Sequence, residues 1–374
     1  MSRAPRILVV SPAPSHPADQ GNSARIQAMG AALMARGITC DFLYYATEGC
    51  SPAQREAMAG FWHRLHVLPP VPTGGMGLPG LWAIDDWCDI SLVEQVVALQ
   101  RQWRYDAVLV NYVWMSRVLE AVPDAFRIID THDLFGDRHL VALEAGIDPS
   151  WFFTTVAEEG RGLARADLVI AIQDEEAVTL RGRSPTPVVT LGHLPPLRFL
   201  ESLPRRQVRA PFGYFGSANP WNVASVRAMD ALLAAEEGLS WLLAGRILRR
   251  RDLVLASAPQ RLEQVPEPEV FYAAVDCVLN PMVPGTGLKI KTVEALAHGL
   301  PILGTVHAFS GLPAEHRGHR AADIPEMVAM MREWRDSPAF RAELARASRL
   351  LALRYAADLS AQQDALAARL RALA

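Results

Sequence analysis

Residues Asn280 to Thr305 read NPMVPGTGLKIKTVEALAHGLPILGT, and this stretch carries the most information about the fold. The run Val275–Asn280 predicts a buried strand, and a loop of prolines and glycines follows it. A helix is predicted to open near Gly287–Lys289 and to stop at Gly299, before a further strand at Pro301–Gly304. Because glycines admit a ligand close to the backbone and a helix start attracts anions, the order indicates a βαβ unit with an anion site.

The same alternation of strand and helix runs through the rest of the chain. Apolar runs that predict strands in the first half are Arg6–Ser11, Thr39–Tyr45, His66–Leu68, Ala107–Asn111, Arg127–Asp130 and Leu168–Ile172. Segments with helical spacing lie between them, namely a helix capped by Asn22 or Ser23 that ends at Met34, then Ser91–Gln102 and Thr154–Ala164. This order is typical of parallel sheets with helical crossovers.

The chain is predicted to form two domains in series. Six prolines between Gly182 and Pro211 predict a connection, after which the pattern restarts with strands at Phe212–Phe215 and Trp241–Ala244. The tail Pro338–Ala374 has helical spacing. At 374 residues the length allows two domains of ordinary size.

Composition and charge exclude several classes of protein. Half of the residues are hydrophobic and 21% are charged, which is enough for sizeable cores, and the net charge of −3 argues against a dedicated nucleic-acid binder. The charge is uneven, with −6 over residues 1–200 and +3 over residues 201–374, so the second half suits an anionic ligand better. Four scattered cysteines fit a reducing compartment and no metal site.

The sequence predicts a cytoplasmic protein. The apolar run near the start, Ile7–Val10, is too short for a secretory signal. The uncharged segment Val67–Ile84 contains four prolines and four glycines, which rules out a regular membrane-spanning helix. We interpret this segment either as a binding surface for an acceptor, including a membrane-presented one, or as a loop that covers the core.

The sequence lacks the two common phosphate-binding motifs, but its only lysines lie together in one segment. The first strand is not followed by the glycine pattern of a dinucleotide-binding turn, and no P-loop occurs, so a nicotinamide dehydrogenase or a P-loop NTPase is not expected. Of 37 basic residues only Lys289 and Lys291 are lysines. A compact ammonium is therefore expected to be needed here, against the alternative of chance clustering on a solvated helix face.

The segment around these lysines resembles the donor-site motif of the GT-B glycosyltransferases, specifically the retaining family-4-like group (glycosyl transferases group 1). The matching positions are Gly287, Glu294, Ala295, Ala297, Gly299, Pro301 and Thr305. Weaker resemblance extends to residues 214–222, 130–133 and 166–171. It implies a GT-B fold of two Rossmann-like domains with parallel sheets facing across a cleft. The expected bounds are 1–190 for the acceptor domain and 210–355 for the donor domain, with a final helix at 357–374 packing back on the first domain.

The resemblance also implies roles for individual residues toward a nucleoside diphosphate sugar, UDP- or GDP-linked. Glu294 is expected to accept hydrogen bonds from the ribose hydroxyls. Lys289 is expected to hold the diphosphate and to act as a catalytic residue by stabilising it as it leaves. The backbone of Gly285, Thr286, Gly287 and Leu288 is expected beside that diphosphate, with Gly216 on the opposite wall. No metal and no cofactor is expected, because helix-start amides and cations can stabilise the leaving diphosphate.

The chain departs from the family pattern at three positions. Thr286 stands where many members have a first acidic residue, and Ser217 and Asn222 replace an arginine and a lysine that grip the diphosphate. The two lysines or Arg246 are the expected substitutes. A helical projection puts Lys291 about 200° around the helix from Lys289, so substitution of Lys291 is expected to be the milder lesion.

Candidate residues in the first half follow strands. His132 lies between Asp130 and Asp133 and resembles the histidine beside the donor sugar, although such clusters also serve as simple loop ties. Asp133 is included as a catalytic candidate, and its pairing with Arg138 reads equally as a tether. On the acceptor side the candidates are Arg138 and, in the loop after the first strand, Gly21, Asn22 and Arg25; the alternative in that loop is an N-cap with a solvated arginine.

The activity implied is transfer of a sugar from a nucleoside diphosphate sugar to a hydroxyl of a glycan, glycolipid or small molecule, with retention of configuration. The expected setting is bacterial-type glycan or glycolipid assembly in the cytoplasm, with peripheral membrane contact and no nucleic acid. Two alternatives stay open at this point. One is a nucleotide-sugar epimerase or hydrolase on the same fold, and the other is a non-catalytic subunit that binds nucleotide sugars.

Overall fold

The computed structural model describes residues 3–200, 209–265, 267–283 and 287–374. The chain divides into two compact units. The N-terminal unit comprises Met1–His193 together with Leu359–Ala374, and the C-terminal unit comprises Leu194–Asp358. Each contains one sheet of parallel strands, so the predicted α/β class with two parallel sheets is confirmed.

The N-terminal unit is built on a sheet of seven described strands. These are β1 (Arg6–Ser11), β2 (Thr39–Tyr45), β3 (Arg64–Leu68), β4 (Ala107–Asn111), β5 (Phe126–Asp130), β6 (Leu168–Ala171) and β7 (Val188–Thr190). They lie in the order β3-β2-β1-β4-β5-β6-β7, and Ile7 of β1 is in register with Cys40 of β2 and Ala107 of β4. The strand order therefore reverses between β1 and β4, which is where loops diverge and ligands bind in open α/β sheets.

The helices of this unit connect the strands. They are α1 (Gly21–Met34), α2 (Pro52–Phe61), α3 (Ile90–Trp103), α4 (Arg138–Glu144), α5 (Val156–Leu163) and α6 (Asp174–Arg183), with a 3-10 segment at Val113–Ala121. Ser51, Asp89 and Thr155 cap α2, α3 and α5 through their side chains. The prediction that Asn22 or Ser23 caps α1 is wrong. The N-cap is Gln20, which makes no side-chain cap, and Asn22 Oδ1 accepts from the Ser23 amide at 2.8 Å instead.

The C-terminal unit repeats this plan with five described strands in the order β10-β9-β8-β11-β12. The strands are β8 (Ala210–Phe215), β9 (Trp241–Ala244), β10 (Gln260–Leu262), β11 (Val275–Asn280) and β12 (Ile302–Gly304). The helices are α7 (Pro220–Leu233), α8 (Pro268–Tyr272), α9 (Ile290–Ala297), α10 (Ile324–Asp336) and α11 (Pro338–Arg371), with 3-10 turns at Arg246–Arg249, Val306–Phe309 and Arg317–His319. Here the order reverses between β8 and β11.

Helix α11 belongs to both units, because its residues from Leu359 onward are part of the N-terminal one. Its last turns are held there by polar contacts. Arg36 Nε donates to Asp364 Oδ1 at 2.7 Å, and the Gly192 amide donates to Gln362 Oε1 at 2.9 Å.

The cores are formed by the strands and the helix faces that cover them. Strands β1, β4 and β11 are almost entirely buried, as expected for parallel strands covered on both faces. Trp114 is fully buried in the core of the N-terminal unit, where it stacks on Tyr112 at 4.3 Å. Its ring therefore serves the core and has no face accessible to a ligand.

Two predicted boundaries differ from the structure for physical reasons. The predicted connection Gly182–Pro211 contains strand β7, which begins directly after Pro187. Proline is tolerated at the start of an edge strand, and β7 is the edge of its sheet. The helix expected to open near Gly287–Lys289 begins at Ile290, with Lys289 as its extended N-cap.

Candidate functional site

Two glycines bring two loops together at the carboxyl ends of β8 and β9. The Gly216 amide donates to the Ala244 carbonyl at 3.1 Å, and the Ile247 amide donates to the Gly216 carbonyl at 3.0 Å. Gly245 has φ +95°, and a side chain there would place Cβ 2.6 Å from the Gly216 carbonyl oxygen. At Gly216 an added Cβ would lie 2.6 Å from the Tyr214 ring. Both positions therefore require glycine so that the backbone can pack against its own neighbours.

The polar turn after β8 orients Asn222. Asn219 caps α7, because its Oδ1 accepts from the Asn222 amide at 2.8 Å. The Asn222 side-chain nitrogen donates to the Ser217 carbonyl at 3.1 Å and lies 3.0 Å from the Ser217 hydroxyl. Because the nitrogen of the Asn222 amide faces Ser217, its oxygen Oδ1 points away from Ser217 and is available as a hydrogen-bond acceptor.

Asn222 Oδ1 accepts a hydrogen bond from the ammonium of Lys291, which lies on helix α9. Lys291 Nζ donates to Asn222 Oδ1 at 2.5 Å and to the Tyr214 hydroxyl at 2.7 Å, and it lies 4.6 Å from the centroid of the Tyr214 ring. Burial lowers the pKa of Lys291 to about 7; the positive charge of Lys289 also lowers it, while the negative charge of Glu294 raises it. An ammonium with this pKa is held ready to change its charge near neutral pH.

Lys289 is placed differently. It precedes the helix with φ −84° and ψ 96°, it is buried, and its Nζ donates to the Gly287 carbonyl at 2.5 Å. Because Lys289 lies outside the helix, the projection that set the two lysines about 200° apart does not describe this site. Gly287 itself has φ +76°, and Leu288 is buried. Gly285 and Thr286 lie outside the described residues.

Glu294 lies one turn further along α9 and has one partner among the described side chains. The Tyr272 hydroxyl donates to Glu294 Oε2 at 3.0 Å, and the Tyr272 ring stacks on His298 at 4.4 Å. Burial raises the pKa of Glu294 to about 7, although the hydrogen bond from Tyr272 and the charge of Lys291 lower it in part. His298 Nδ1 lies 2.7 Å from the Glu294 carbonyl, which can only accept, so that nitrogen carries the proton.

Arg246 follows the carboxyl end of β9, where it opens the 3-10 turn beside Gly245. It is half-buried, whereas the next arginines, Arg249 to Arg251, are exposed. Arg250 pairs with Asp252 at 2.7 Å.

In the N-terminal unit, His132 stands directly after β5 in a left-handed conformation with φ +61°. Its Nε2 lies 2.9 Å from Asn111 Oδ1 and 3.4 Å from Asp130 Oδ2, and its ring stacks on Tyr112 at 4.3 Å. Asn111 is oriented by donating to the Val10 carbonyl at 3.0 Å, so His132 Nε2 is the donor and Nδ1 keeps its lone pair. Burial lowers the pKa of His132 to about 4, which keeps the ring neutral near pH 7.

A buried ion pair lies beneath this histidine. Arg25 Nη2 donates to Asp130 Oδ1 at 2.6 Å and Arg25 Nε to Asp130 Oδ2 at 2.8 Å, while Arg25 Nη1 donates to the Gly192 carbonyl at 3.0 Å. Arg25 and Asp130 are 2% and 0% exposed, so the alternative of a solvated arginine does not hold. The guanidinium is engaged by the protein itself and fixes Asp130 beside His132.

The other candidates of this unit lie around the same strand ends. Asp133 Oδ1 accepts from the Leu134 amide at 2.8 Å, and Asp133 Oδ2 lies 3.2 Å from Arg138 Nη1. Gly21 is the first residue of α1, and Asn22 Oδ1 accepts from the Ser23 amide at 2.8 Å. These contacts tie the loops around His132.

Solved structures show which known fold this is. A scan against protein-family models and a search of the curated proteins each found no match. Sucrose-phosphate synthase from Thermosynechococcus elongatus is similar with a TM-score of 0.71 at 16% identity, over 99% of this chain and 100% of that one. Anabaena HepE in complex with UDP-glucose gives a TM-score of 0.65 at 14% identity, over 97% and 99%. A glycosyltransferase from Rickettsia africae gives 0.64 at 11% identity, over 100% and 99%.

The chain has the GT-B fold. Against this fold, the sequence-predicted residues fall into two groups, one at the strand ends of each unit. Those of the C-terminal unit are Gly216, Ser217, Arg246, Gly287, Leu288, Lys289 and Glu294, and those of the N-terminal unit are Gly21, Asn22, Arg25, His132, Asp133 and Arg138. Their roles toward a ligand stay predictions.

Sequence-based reasoning missed Tyr214, Tyr272 and Asn111 beside these groups, and it ranked Lys291 as the less important of the two lysines. Tyr214 and Tyr272 supply hydroxyls to Lys291 and Glu294, and Asn111 sets the tautomer of His132. Only Lys291 carried a signal, because it is one of two lysines in the chain. Tyr214 lies within a predicted strand and Tyr272 ends a short helix, and in the sequence each looks like any core aromatic residue.

Two further findings concern the described part of the chain as a whole. It contains no group of three or more histidine, cysteine or acidic side chains placed to hold a metal ion. Within the same residues, no helix combines the length and the apolar character that crossing a membrane requires.

Proposed function

We propose that this chain is a glycosyltransferase that moves a sugar from a nucleoside diphosphate sugar to an acceptor hydroxyl. The observation that carries the proposal is the pairing of a buried ammonium with a buried carboxyl on the first turns of α9. Lys291 and Glu294 lie where the strand order of the GT-B C-terminal unit reverses, which is the ligand position of open α/β sheets. A nucleoside diphosphate sugar needs a cation beside its diphosphate and a hydrogen-bond acceptor for its ribose hydroxyls, and an ammonium and a carboxylate supply these two groups.

The donor is proposed to be UDP-linked, with a GDP-linked sugar as the second choice. HepE, which is similar over nearly the whole chain, was solved with UDP and with UDP-glucose, and this supports uridine. Glu294 is proposed to accept from the ribose hydroxyls. Lys289 and the backbone of Gly287 and Leu288 are proposed to lie beside the diphosphate, with Gly216, Ser217 and Arg246 completing the donor side.

The transfer breaks the anomeric C–O bond, and its electron pair passes to the oxygen of the departing diphosphate. The acceptor oxygen forms the new bond to the anomeric carbon, and its proton passes to the departing diphosphate. Cations fixed before the reaction stabilise the charge that develops on the leaving group, and no metal is required for this step. Retention of configuration is part of the proposal and is supported by the family-4-like motif.

His132 is proposed to contact the transferred sugar, with Asp133 as a second catalytic candidate. The neutral His132 ring is held in one tautomer by Asn111, so it offers the sugar a lone pair at Nδ1 and no charge. Arg25 acts on this histidine through Asp130. Arg25 is therefore a positioning residue in this scheme, while Gly21, Asn22 and Arg138 are proposed to lie on the acceptor side.

The acceptor is proposed to be a glycan, a glycolipid or a small molecule used in bacterial-type glycan assembly, and the segment Val67–Ile84 is proposed to contact it. Val71 and Met76 are exposed in this segment, while Asp86 holds its end by accepting from the Gly77 and Ala83 amides at 2.7 Å. An exposed apolar segment with a fixed end suits a lipid-linked acceptor. Contact with the cytoplasmic membrane surface belongs to the same proposal.

The test is a panel of UDP, GDP, ADP and TDP in thermal-shift measurements, followed by product analysis with the matching sugar nucleotide. A ligand at 100 times its Kd stabilises the fold by about 2.7 kcal/mol, which is readily measured. Glycosylated acceptor together with free nucleoside diphosphate supports the proposal. A product that forms without any acceptor indicates an epimerase or hydrolase, and binding without turnover indicates a non-catalytic subunit. Failure of all four nucleotides to bind refutes the proposal.

A further inference from the structure

Four of the six described residues other than glycine that have positive φ lie close together in the N-terminal unit. They are Tyr112, His132, Asp137 and Trp151, with φ of +74°, +61°, +62° and +70°. Such conformations cost free energy, persist only where the surrounding structure imposes them, and cluster at functional sites. Trp151 is the bulkiest of the four, and positive φ in a bulky residue is a genuine outlier. The proposed function gives Trp151 no role.

Trp151 is also exposed, whereas the other tryptophans are covered at least in part. All nine tryptophans belong to the described part of the chain, and Trp151 alone is exposed, at 44%. The residues after it fix its position, because Phe152 is fully buried and the Thr154 amide donates to the Phe135 carbonyl at 3.1 Å. The Asp137 amide donates in turn to the Thr154 carbonyl at 2.8 Å. The loop therefore holds the indole at the surface, although burial would stabilise so large an apolar side chain more.

The ring of Trp151 lies one aromatic ring away from His132. Its centroid is 5.3 Å from that of Tyr112 with the planes at 85°, and Tyr112 stacks on His132 at 4.3 Å. The Trp151 ring also lies 5.0 Å from Trp114 and 6.2 Å from Phe135, with planes at 80° and 74°. Three core rings therefore support one part of the indole, and the rest is open to solvent near the histidine that is proposed to contact the transferred sugar.

The loop of Trp151 is joined to the segment Val67–Ile84, which is proposed to contact the acceptor. The Trp82 amide donates to the Phe153 carbonyl at 3.2 Å, and the Thr154 hydroxyl donates to the Trp82 carbonyl at 2.6 Å. Two segments bonded in this way form one surface, which we call the apolar shelf. Its exposed apolar side chains are Val71, Met76, Leu140, Leu143, Trp151 and Val156. Exposed apolar surface of this kind is typical of a binding site.

The two segments of the apolar shelf supply no cation that could bind a phosphate. Residues 67–90 contain three acidic residues and neither lysine nor arginine, and residues 131–160 contain six acidic residues and one arginine, Arg138. Arg138 Nη1 lies 3.2 Å from Asp133 Oδ2, so its charge is balanced within the protein. Glu144 and Asp148 are exposed in the loop that carries Trp151. An anionic group is therefore disfavoured here, and the apolar shelf suits an uncharged ligand.

We infer that Trp151 determines acceptor specificity, and that the acceptor is an uncharged molecule with an apolar group next to its reacting hydroxyl. The inference rests on the proposed function and narrows the chemical class of its acceptor to a neutral glycoside or glycolipid, as opposed to a lipid phosphate. The apolar group packs on the open part of the indole, since a tryptophan offers a large apolar area and keeps an N–H for a polar partner. A ring that is fixed before the ligand arrives loses little conformational freedom on binding.

The experiment titrates three probes into the full chain by ligand-observed NMR, each below its micelle concentration. Octyl β-glucoside is neutral and apolar, methyl β-glucoside lacks the apolar chain, and octyl phosphate replaces the neutral head by an anion. In the wild-type protein, octyl β-glucoside should bind at least tenfold more tightly than either of the other probes. In Trp151→Gly its advantage over methyl β-glucoside should fall at least fivefold.

The variants separate the effect of the ring from that of the backbone. Glycine adopts positive φ readily, so Trp151→Gly removes the ring without straining the loop and should melt no lower than Trp151→Ala. Trp151→Phe keeps a smaller ring and should retain more of the advantage than Trp151→Gly does. The matched control is Leu350→Ala on α11, because Leu350 is 47% exposed in the C-terminal unit. This control should change the advantage by less than twofold.

Steady-state kinetics provide a readout that a merely structural role would not produce. With octyl β-glucoside as acceptor and the sugar nucleotide that the wild-type protein uses, Trp151→Gly should raise the KM of the acceptor at least tenfold. The kcat should stay within threefold and the KM of the sugar nucleotide within twofold, because the lost contact is made only with the acceptor. A general loosening of the fold would change all three constants.

The outcomes separate this inference from the proposed function. If the wild-type protein transfers sugar while octyl β-glucoside has no advantage, or while Trp151→Gly keeps that advantage, the inference is wrong and the function stands. Tighter binding of octyl phosphate than of octyl β-glucoside contradicts an uncharged acceptor. Binding to phosphatidylglycerol vesicles that Trp151→Gly abolishes, without an advantage for octyl β-glucoside, would make Trp151 a membrane contact and overturn the inference. If no nucleoside diphosphate binds to the wild-type protein, the proposed function is wrong, and the acceptor role of Trp151 fails with it.

Discussion

Replacing Glu294 by alanine should weaken the binding of uridine and of every uridine nucleotide. The carboxylate accepts one hydrogen bond, from Tyr272 to Oε2, and Oε1 accepts none from the described residues. It therefore has free acceptor positions for the two ribose hydroxyls. Hydrogen bonds to a charged group contribute about 1.5–3 kcal/mol, which corresponds to a loss in affinity of roughly 10- to 150-fold.

The same carboxyl predicts how uridine affinity changes with pH. Its pKa of about 7 in the free protein means that it is mostly protonated at pH 6 and mostly ionised at pH 8. The ionised form accepts hydrogen bonds better, so binding favours it and lowers its pKa, and a proton is released. Uridine affinity should thus rise about tenfold between pH 6 and pH 8, and the rise should be absent in Glu294→Gln.

Calorimetry with uridine is the appropriate assay, because uridine carries no phosphate whose own ionisation would interfere. Tyr272→Phe serves as the control, since it keeps the carboxylate and removes only the hydroxyl that donates to it. That hydrogen bond lowers the pKa of Glu294, so its loss should move the midpoint of the pH curve upward with less than a fivefold loss in affinity at pH 8. Unchanged uridine affinity in a folded Glu294→Ala protein would refute the assignment of this residue to the ribose.

Three further predictions concern the scaffold and the histidine. Asp130→Asn leaves its buried arginine partner uncompensated and should lower the free energy of unfolding by about 3–5 kcal/mol in urea titrations; a change below 1 kcal/mol would contradict the pairing. His132→Gln should reduce kcat by at least tenfold and leave UDP affinity within twofold, and equal losses in both would place the ring on the nucleotide instead. Gly245→Ala should destabilise by about 1–3 kcal/mol more than Gly238→Ala, because both have positive φ but only Gly245 has a backbone carbonyl 2.6 Å from the added Cβ. Equal denaturation midpoints for Gly245→Ala and Gly238→Ala would show that the loop at Gly245 shifts to accommodate the added Cβ, which would contradict the prediction.

Most of the strands could be predicted from the sequence because they are buried on both faces. Such strands read as continuous apolar runs, and the predicted bounds of Arg6–Ser11, Thr39–Tyr45, Ala107–Asn111 and Val275–Asn280 are confirmed without change. The short edge strands β7 and β10 carry no such signal. Gln260–Leu262 is mostly polar, since an edge strand needs little apolar surface.

The sequence predicts which segment of the chain forms the candidate site, but not which side chains meet there. The loop and helix around residues 285–305 stand out through glycine, proline and the two lysines, so the sequence identifies where a ligand is expected. Which lysine reaches which partner depends on where the helix begins, and a one-residue change in that boundary moves Lys289 out of the helical register. The partners Tyr214 and Asn222 lie about 70 residues away and meet Lys291 only through the sheet order.

Both units place buried titratable groups near the carboxyl ends of their parallel strands. In the N-terminal unit, Asp130 ends β5 and His132 follows it, one strand beyond the reversal between β1 and β4, whereas in the C-terminal unit Lys291 and Glu294 lie on the helix after β11, at the reversal between β8 and β11. The two sets differ in how their charges are balanced. Asp130 forms a direct ion pair with Arg25 that fixes it beside His132, whereas Lys291 hydrogen-bonds two neutral groups and interacts with the charge of Glu294 without a direct contact. Lys291 and Glu294 therefore both keep pKa values near 7, as expected of groups that respond to a ligand rather than of a closed structural ion pair.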